Sequence, residues 1–301
     1  MSTENISFAS LNLAPELLKA LEEFGYKTPT PIQSQAIPVA LEGRDLMAGA
    51  QTGTGKTAAF ALPMLQRLLP QSNNSASPAK HPIRALILVP TRELAIQVQE
   101  SIQIYAKHTN LRSLVVYGGV DIKTQTPALM RGVEILVATP GRLLDHVEQR
   151  TLSLSQVQML VLDEADRMLD MGFLPDLQRI INLIPAQRQT LLFSATFSPE
   201  IKKLAQSYLR SPVTVEVARH NAAADTVKQV VHLVSSMDKQ RAIVKVLENR
   251  TRQGLSRQCI IFTNSRLGCA KLARALERDG IKAGAIHGED RKSTRLNSSH
   301  T

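Results

Sequence analysis

Short, unbroken apolar runs rich in β-branched residues recur along the chain, each followed by a longer stretch of helical periodicity. The clearest are "RALILVP", "SLVVYGG", "EILVATP", "MLVLDEAD" and "QTLLFSAT". Runs without polar alternation predict strands buried on both faces. Strands alternating with helices predict an α/β fold built on a parallel sheet flanked by helices. In such sheets ligands collect outside the carboxyl ends of the strands. Nearly every polar motif of this chain follows one of those ends.

Two stretches punctuate the pattern. "QSNNSASPAKHP", Gln71 to Pro82, reads as a solvated loop with nothing to bury. "ARHNAAADTVKQ" follows the strand-like "VTVEV" and reads as a linker at 218–225. Beyond it the pattern restarts with "VVHLV", "QCIIFTN" and "KAGAIHG". A first domain is therefore expected over 1–217 and part of a second over 226–289. At 301 residues the chain is long enough for about two domains.

Composition narrows the function classes. No apolar run approaches the roughly 18 residues of a membrane helix. The start, "MSTENISFAS", lacks the basic and apolar pattern of a secretory signal. Cys259 and Cys269 are far from any metal-ligand spacing and fit reduced thiols, so a cytoplasmic setting is expected. A formal charge of +10 favours an anionic partner, with nucleic acid the commonest, although a solvated basic surface gives the same count. Tryptophan is absent and aromatics make up 4% of residues. Base stacking on aromatic platforms is thus in short supply, and a bound nucleic acid would be held mainly by sugar and phosphate.

The candidate chemistry starts with "AQTGTGKT", Ala50 to Thr57, between the strand-like "GRDLMAGA" and the helical "AAFALPMLQRLL". Strand, glycine loop and helix make a phosphate cradle. Gly53 and Gly55 let backbone N–H groups turn inward, and the helix N-terminus adds positive potential. Lys56 can reach the outer phosphates and the Thr57 hydroxyl can ligate Mg²⁺. Ala50 replaces the first glycine of the general pattern, and Gln51, Thr52 and Thr54 complete the loop. "VLDEAD" places three carboxylates within four residues at a strand end. Asp163 suits Mg²⁺, partly through water, and Glu164 suits the orientation and deprotonation of an attacking water. An acidic first turn of a helix would look the same in isolation.

The order "AQTGTGKT", "PTRELA", "GG", "TPGR", "DEAD", "SAT" resembles the DEAD-box RNA helicases, with likeness running from residue 6 to about 289. "VLDEADRMLDMGF" and "LLFSATFS" are most similar to the bacterial RhlE-type subgroup. The resemblance implies two RecA-like domains, ATP and Mg²⁺ as cofactors, and RNA as the partner. It also implies residue roles. "GYKTPTPIQ" is similar to the adenine-reading motif, with Gln33 at the base edge and Phe8 packing against the base. Pro90, Thr91 and Arg92, Gly118 and Gly119, and Thr139, Gly141 and Arg142 match RNA-facing loops. "TPGR" is also an ordinary helix start with proline first. Ser194 and Thr196 match the hydroxyls that link Asp166 to strand separation.

The family's late arginine strings, similar to "ARGLD" and "HRIGRTGR", do not occur here. After "GAIHG" the chain reads "EDRKSTRLNSSHT", and 290–301 resembles a translated sequencing adapter rather than helicase sequence. An incomplete second RecA-like domain, residues 226–301 either poorly packed or dependent on the first domain, and weak turnover of bound ATP are the resulting expectations. Loss of such an arginine typically costs about 10³–10⁵ in rate.

Overall fold

The computed structural model describes residues 7–51, 53–217, 230–254 and 258–287. The chain divides into two compact units, Met1–His220 and Asn221–Thr301.

The first unit carries seven strands: β1 (Leu46–Gly49), β2 (Ala85–Leu88), β3 (Ser113–Val116), β4 (Ile135–Ala138), β5 (Met159–Leu162), β6 (Gln189–Ser194) and β7 (Val213–Glu216). Every strand expected from an apolar run in this unit forms. They make one sheet in the order β3-β4-β2-β5-β6-β1-β7, and every neighbouring pair is parallel. Each parallel step needs a crossover, and the helices supply it. They are α1 (Pro15–Glu23), α2 (Pro31–Leu41), α3 (Lys56–Leu68), α4 (Arg92–Tyr105), α5 (Thr126–Met130), α6 (Pro140–Glu148), α7 (Ala165–Asp170), α8 (Leu174–Leu183) and α9 (Pro199–Tyr208).

Local chemistry sets where these helices begin. The Thr91 hydroxyl accepts from Leu94 N at 3.3 Å and the Ser198 hydroxyl from Ile201 N at 3.3 Å. Proline opens α1, α2, α6 and α9, where its missing N–H costs nothing.

The strands' two-residue period splits the core. Ala48, Ile87, Val137, Val161 and Phe193 face one side, where Leu17, Ile37, Phe60 and Val98 of α1 to α4 cover them. Met47, Leu86, Leu136, Leu160 and Leu192 face the other, under Leu143, Met168, Leu177 and Ile201. Phe60 and Phe193 meet edge to face at 5.4 Å.

Gln71 to Pro82 departs from the expected solvated loop. His81 is buried, its Nδ1 paired with Glu134 Oε1 and its Nε2 2.7 Å from Ser75 O. Arg112 also reaches Ser75 O, at 2.7 Å. A buried carboxylate needs such partners, and they pin the loop below β4.

In the second unit the helices Lys239–Arg252 and Arg266–Arg278 form. "VVHLV", "QCIIFTN" and "KAGAIHG" form no strand among the described residues. Ala275 and Leu276 are buried, whereas Val231, Leu233, Phe262 and Ile286 are each more than four-fifths exposed. The expected linker 218–225 and tail 290–301 lie outside the described residues. No helix of the described residues is long and apolar enough to cross a membrane.

Candidate nucleotide and nucleic-acid site

Because all seven strands run parallel, the loops after them gather along one edge of the sheet. Strand order then sorts them. The neighbours β5, β6 and β1 lead into Asp163–Glu164, Ser194–Thr196 and the glycine loop. The neighbours β3, β4 and β2 lead into Gly118–Gly119, Thr139–Arg142 and Pro90–Arg92. The residues expected to hold nucleotide and those expected to face RNA therefore occupy adjoining halves of one edge.

Gly53 and Gly55 have φ of +80° and +91°, a left-handed conformation that glycine adopts without strain. Gly55 also has no room for a side chain, since a Cβ would strike the Gln33 amide. Thr30 Oγ1 donates to Thr54 O at 2.8 Å and Gln33 Nε2 donates to Gly55 O at 3.0 Å. Gln33 Oε1 accepts from Thr30 N at 2.9 Å, which closes a capping box on α2. Gln33 is thus buried with both ends of its amide engaged on the loop and the helix start. Phe8 is buried in the core beside α2. Thr52 lies outside the described residues. Ala50, Gln51 and Thr54 line a cavity of about 270 Å³ with Thr30, Thr196 and Phe197.

Lys56 opens α3 and Thr57 follows it. Lys56 Nζ lies 4.0 Å from Asp163 Oδ1, and both side chains are less than a tenth exposed. The ammonium has no hydrogen-bond partner. A buried ammonium held only by an ion pair, with no hydrogen-bond acceptor, is costly, and an anionic oxygen within hydrogen-bond reach would satisfy it. Burial pushes the Asp163 carboxyl up to about 6, against the pull of the Lys56 charge and of the 2.9 Å hydrogen bond from Glu164 N. Glu164 takes φ +51°, an uncommon turn for a residue with a side chain, and its Oε2 accepts from Arg167 Nη1 at 3.2 Å. Asp166 Oδ2 accepts from Thr196 N at 3.0 Å and Thr196 Oγ1 at 3.1 Å, while Ser194 Oγ donates to Thr196 O at 2.8 Å. These hydrogen bonds bind the acidic tip of β5 to the end of β6.

In the other half Pro90 is buried, Thr91 caps α4, and Arg92 lies 4.6 Å over the Tyr117 ring. Gly118 and Gly119 are exposed, Gly119 at φ +84°. Thr139 is the N-cap of α6, and Gly141 is its second residue. Arg142 Nη2 donates to Val120 O at 2.7 Å and Nε to Asp145 at 3.3 Å, yet buried Nη1 has no partner. Four cationic side chains among the described residues carry a buried nitrogen without a hydrogen-bond partner, and of these Lys56 and Arg142 belong to the loops at the carboxyl ends of the strands, where a phosphate oxygen suits them. Sequence reasoning missed Thr30, Arg167 and Tyr117. Of these, Thr30 alone left a signal, the Thr-x-x-Gln spacing of a capping box.

Residues 30–204 match the family model described as DEAD/DEAH box helicase. The chain belongs to that family. This DEAD-box family member is 39% identical over 292 residues to the DEAD-box ATP-dependent RNA helicase RhpA of Helicobacter pylori, covering 96% of this chain and 57% of RhpA. It is 44% identical over 299 residues to the ATP-dependent rRNA helicase RRP3 of Meyerozyma guilliermondii, covering 97% of this chain and 59% of RRP3. It thus spans somewhat over half the length of these relatives. The crystal structure of a DEAD box protein from the hyperthermophile Methanococcus jannaschii is similar, with TM-score 0.65 and 37% identity over 96% of this chain and 75% of that one. The parallel seven-stranded sheet flanked by helices is the RecA-like domain of this family.

Proposed function

We propose that the chain binds ATP with Mg²⁺ at the junction of the glycine loop and the β5 tip, and acts as an ATP-dependent RNA helicase. The observation that carries this reading is the buried, unpartnered ammonium of Lys56, 4.0 Å from Asp163 at the mouth of the loop. A phosphate oxygen would satisfy Lys56 and the loop N–H groups together. Asp163 and the Thr57 hydroxyl would hold Mg²⁺, which supplies charge neutralisation on the phosphates. Glu164 would take the proton of the attacking water, and Arg167 holds its carboxylate away until nucleotide arrives. Gln33 would select adenine by exchanging its Gly55 contact for the base edge, with Phe8 packing behind. The bonded group Asp166, Ser194 and Thr196 would pass the state of the phosphates towards the RNA-facing half.

RNA would be held by sugar and phosphate through Pro90, Thr91, Arg92, Gly118, Gly119, Thr139, Gly141 and Arg142. Orphaned Arg142 Nη1 supports this placement. The finer reading is an RhlE-type, cytoplasmic enzyme with 1–217 as its nucleotide domain. The engagement of the Glu164 carboxylate by Arg167 at 3.2 Å favours a second reading, a non-catalytic module that binds ATP and RNA.

ATP hydrolysis measured with and without RNA, on the parent chain and Glu164→Gln, separates the two. RNA-stimulated turnover that falls at least about 100-fold in Glu164→Gln supports the enzyme. Turnover indifferent to that substitution leaves the binding module.

A further inference from the structure

His146 lies one turn beyond Arg142 on α6 and is fully buried. Its Nδ1 is 2.8 Å from Thr151 Oγ1 and its Nε2 is 3.4 Å from Gln125 Oε1. Gln125, itself buried, donates from Nε2 to Tyr117 O at 3.0 Å. One assignment keeps the ring neutral and leaves each of these groups paired. Nε2–H donates to Gln125 Oε1 and the Gln125 amide donates to Tyr117 O, while the single Thr151 hydroxyl proton is shared between Nδ1 and His146 O, 3.0 Å away. A directed chain of hydrogen bonds thus runs from the end of α6 to the carbonyl just before Gly118. Burial, with the neighbouring Arg142 charge, lowers the imidazole's proton affinity and agrees with a neutral ring, although Asp145 pulls the other way.

On the far side of the two glycines, Arg142 Nη2 holds Val120 O at 2.7 Å. Gly118 and Gly119 have open space where a side chain would sit, so no neighbouring group packs against them on that side. An exposed glycine pair is entropically expensive to order. Here it is suspended between two anchors, both traceable to α6. The Tyr117 anchor matters twice, because Arg92 rests on the Tyr117 ring.

We infer that His146 and Gln125 are positioning residues for nucleic-acid binding: their hydrogen-bond chain fixes Tyr117–Val120 and so the placement of Arg92 relative to Arg142. The inference rests on the RNA-binding reading given above. An imidazole serving only as filler would have no need of an amide partner that reaches on to a loop carbonyl, here Gln125 to Tyr117, eight residues earlier in the chain. The brace instead lowers the ordering cost that RNA would otherwise meet on binding.

The test uses the full chain and Gln125→Met, which keeps length and volume but removes both polar ends. Gln125→Asn, one methylene short of spanning the gap, serves if the first variant does not fold. Three quantities are read: amide hydrogen exchange at 118–120, affinity for a fluorescent single-stranded oligouridylate, and affinity for MgATP. The expected result is exchange faster by about tenfold or more, RNA affinity weaker by about tenfold, and MgATP affinity within twofold of the parent. Unchanged exchange, or RNA affinity within twofold of a parent that binds RNA, overturns the brace. Parallel loss of MgATP and RNA affinity overturns the positioning role in favour of general destabilisation. A parent chain that binds no RNA overturns the nucleic-acid reading and with it the functional claim, while exchange still reports whether the brace exists.

Discussion

"QTLLFSAT" and "QCIIFTNSR" are written in the same apolar pattern and end differently. The first becomes β6, paired on both sides by β5 and β1, and its Phe193 is fully buried against Phe60. The second forms no strand among its described residues, and its Phe262 is 92% exposed. A short apolar run is therefore a signal for a buried parallel strand and not a sufficient condition for one. Two sheet neighbours and a helix on each face complete it, and all of them come from distant sequence. The first unit has these, and its chemistry-bearing loops inherit a rigid edge. Among its described residues the second unit shows two helices and few buried apolar groups to hold them.

The largest expected effect contrasts the two phenylalanines. Phe193→Ala should destabilise the first unit by about 3–5 kcal/mol, and Phe262→Ala should cost less than about 0.5 kcal/mol, read by chemical denaturation. Equal costs would erase the contrast.

A second effect belongs to the rigid edge. Folded Asp163 keeps its proton to about pH 6, whereas an ordinary aspartate releases it near 3.8. The folded state therefore binds the extra proton. The stability this group adds is fully present below about pH 4 and is lost as pH rises through 6. The loss amounts to about 3 kcal/mol for so buried a group. Relative to the parent, nucleotide-free Asp163→Asn should gain stability on going from pH 4 to pH 7.5. A difference that stays flat over that range would show that burial is not taxing the carboxylate.

The smallest effect compares glycines. Gly55→Ala meets both a positive φ and the Gln33 amide, whereas Gly280→Ala at φ +77° meets open space. The first should cost about 2–3 kcal/mol and weaken MgATP binding, and the second about 1 kcal/mol with binding intact. Reversal of that order in thermal melts would contradict the packing of Gln33 on the loop.

Much of the first unit was legible in its sequence because the signals were local. Apolar runs mark β1 to β6 and the alternating "VTVEV" marks β7, and polar motifs at the carboxyl ends of β1 to β6 mark the site before any pairing is known. What stayed hidden depends on contacts between distant positions. His81 meets Glu134 53 residues away, so "QSNNSASPAKHP" looks solvated when read by itself. Gln33 reaches Gly55 across 22 residues, and nothing near it in the sequence tells an amide committed to the loop from one open to a base. His146 and Gln125 are unremarkable singly, and their role exists only once α6 stands beside the loop after β3. The strand-like runs of the second unit illustrate the converse, a local signal with no described partner to complete it.

The central claim is that Lys56 and Asp163 converge on one magnesium-bound ATP, and the affinity of the chain for MgATP with and without Lys56→Ala tests it most directly. The account predicts measurable binding by the parent and a loss of at least about 100-fold in the variant, with the melting temperature of the nucleotide-free protein little changed. Equal affinity in parent and variant, or no binding by a well-folded parent, would contradict it.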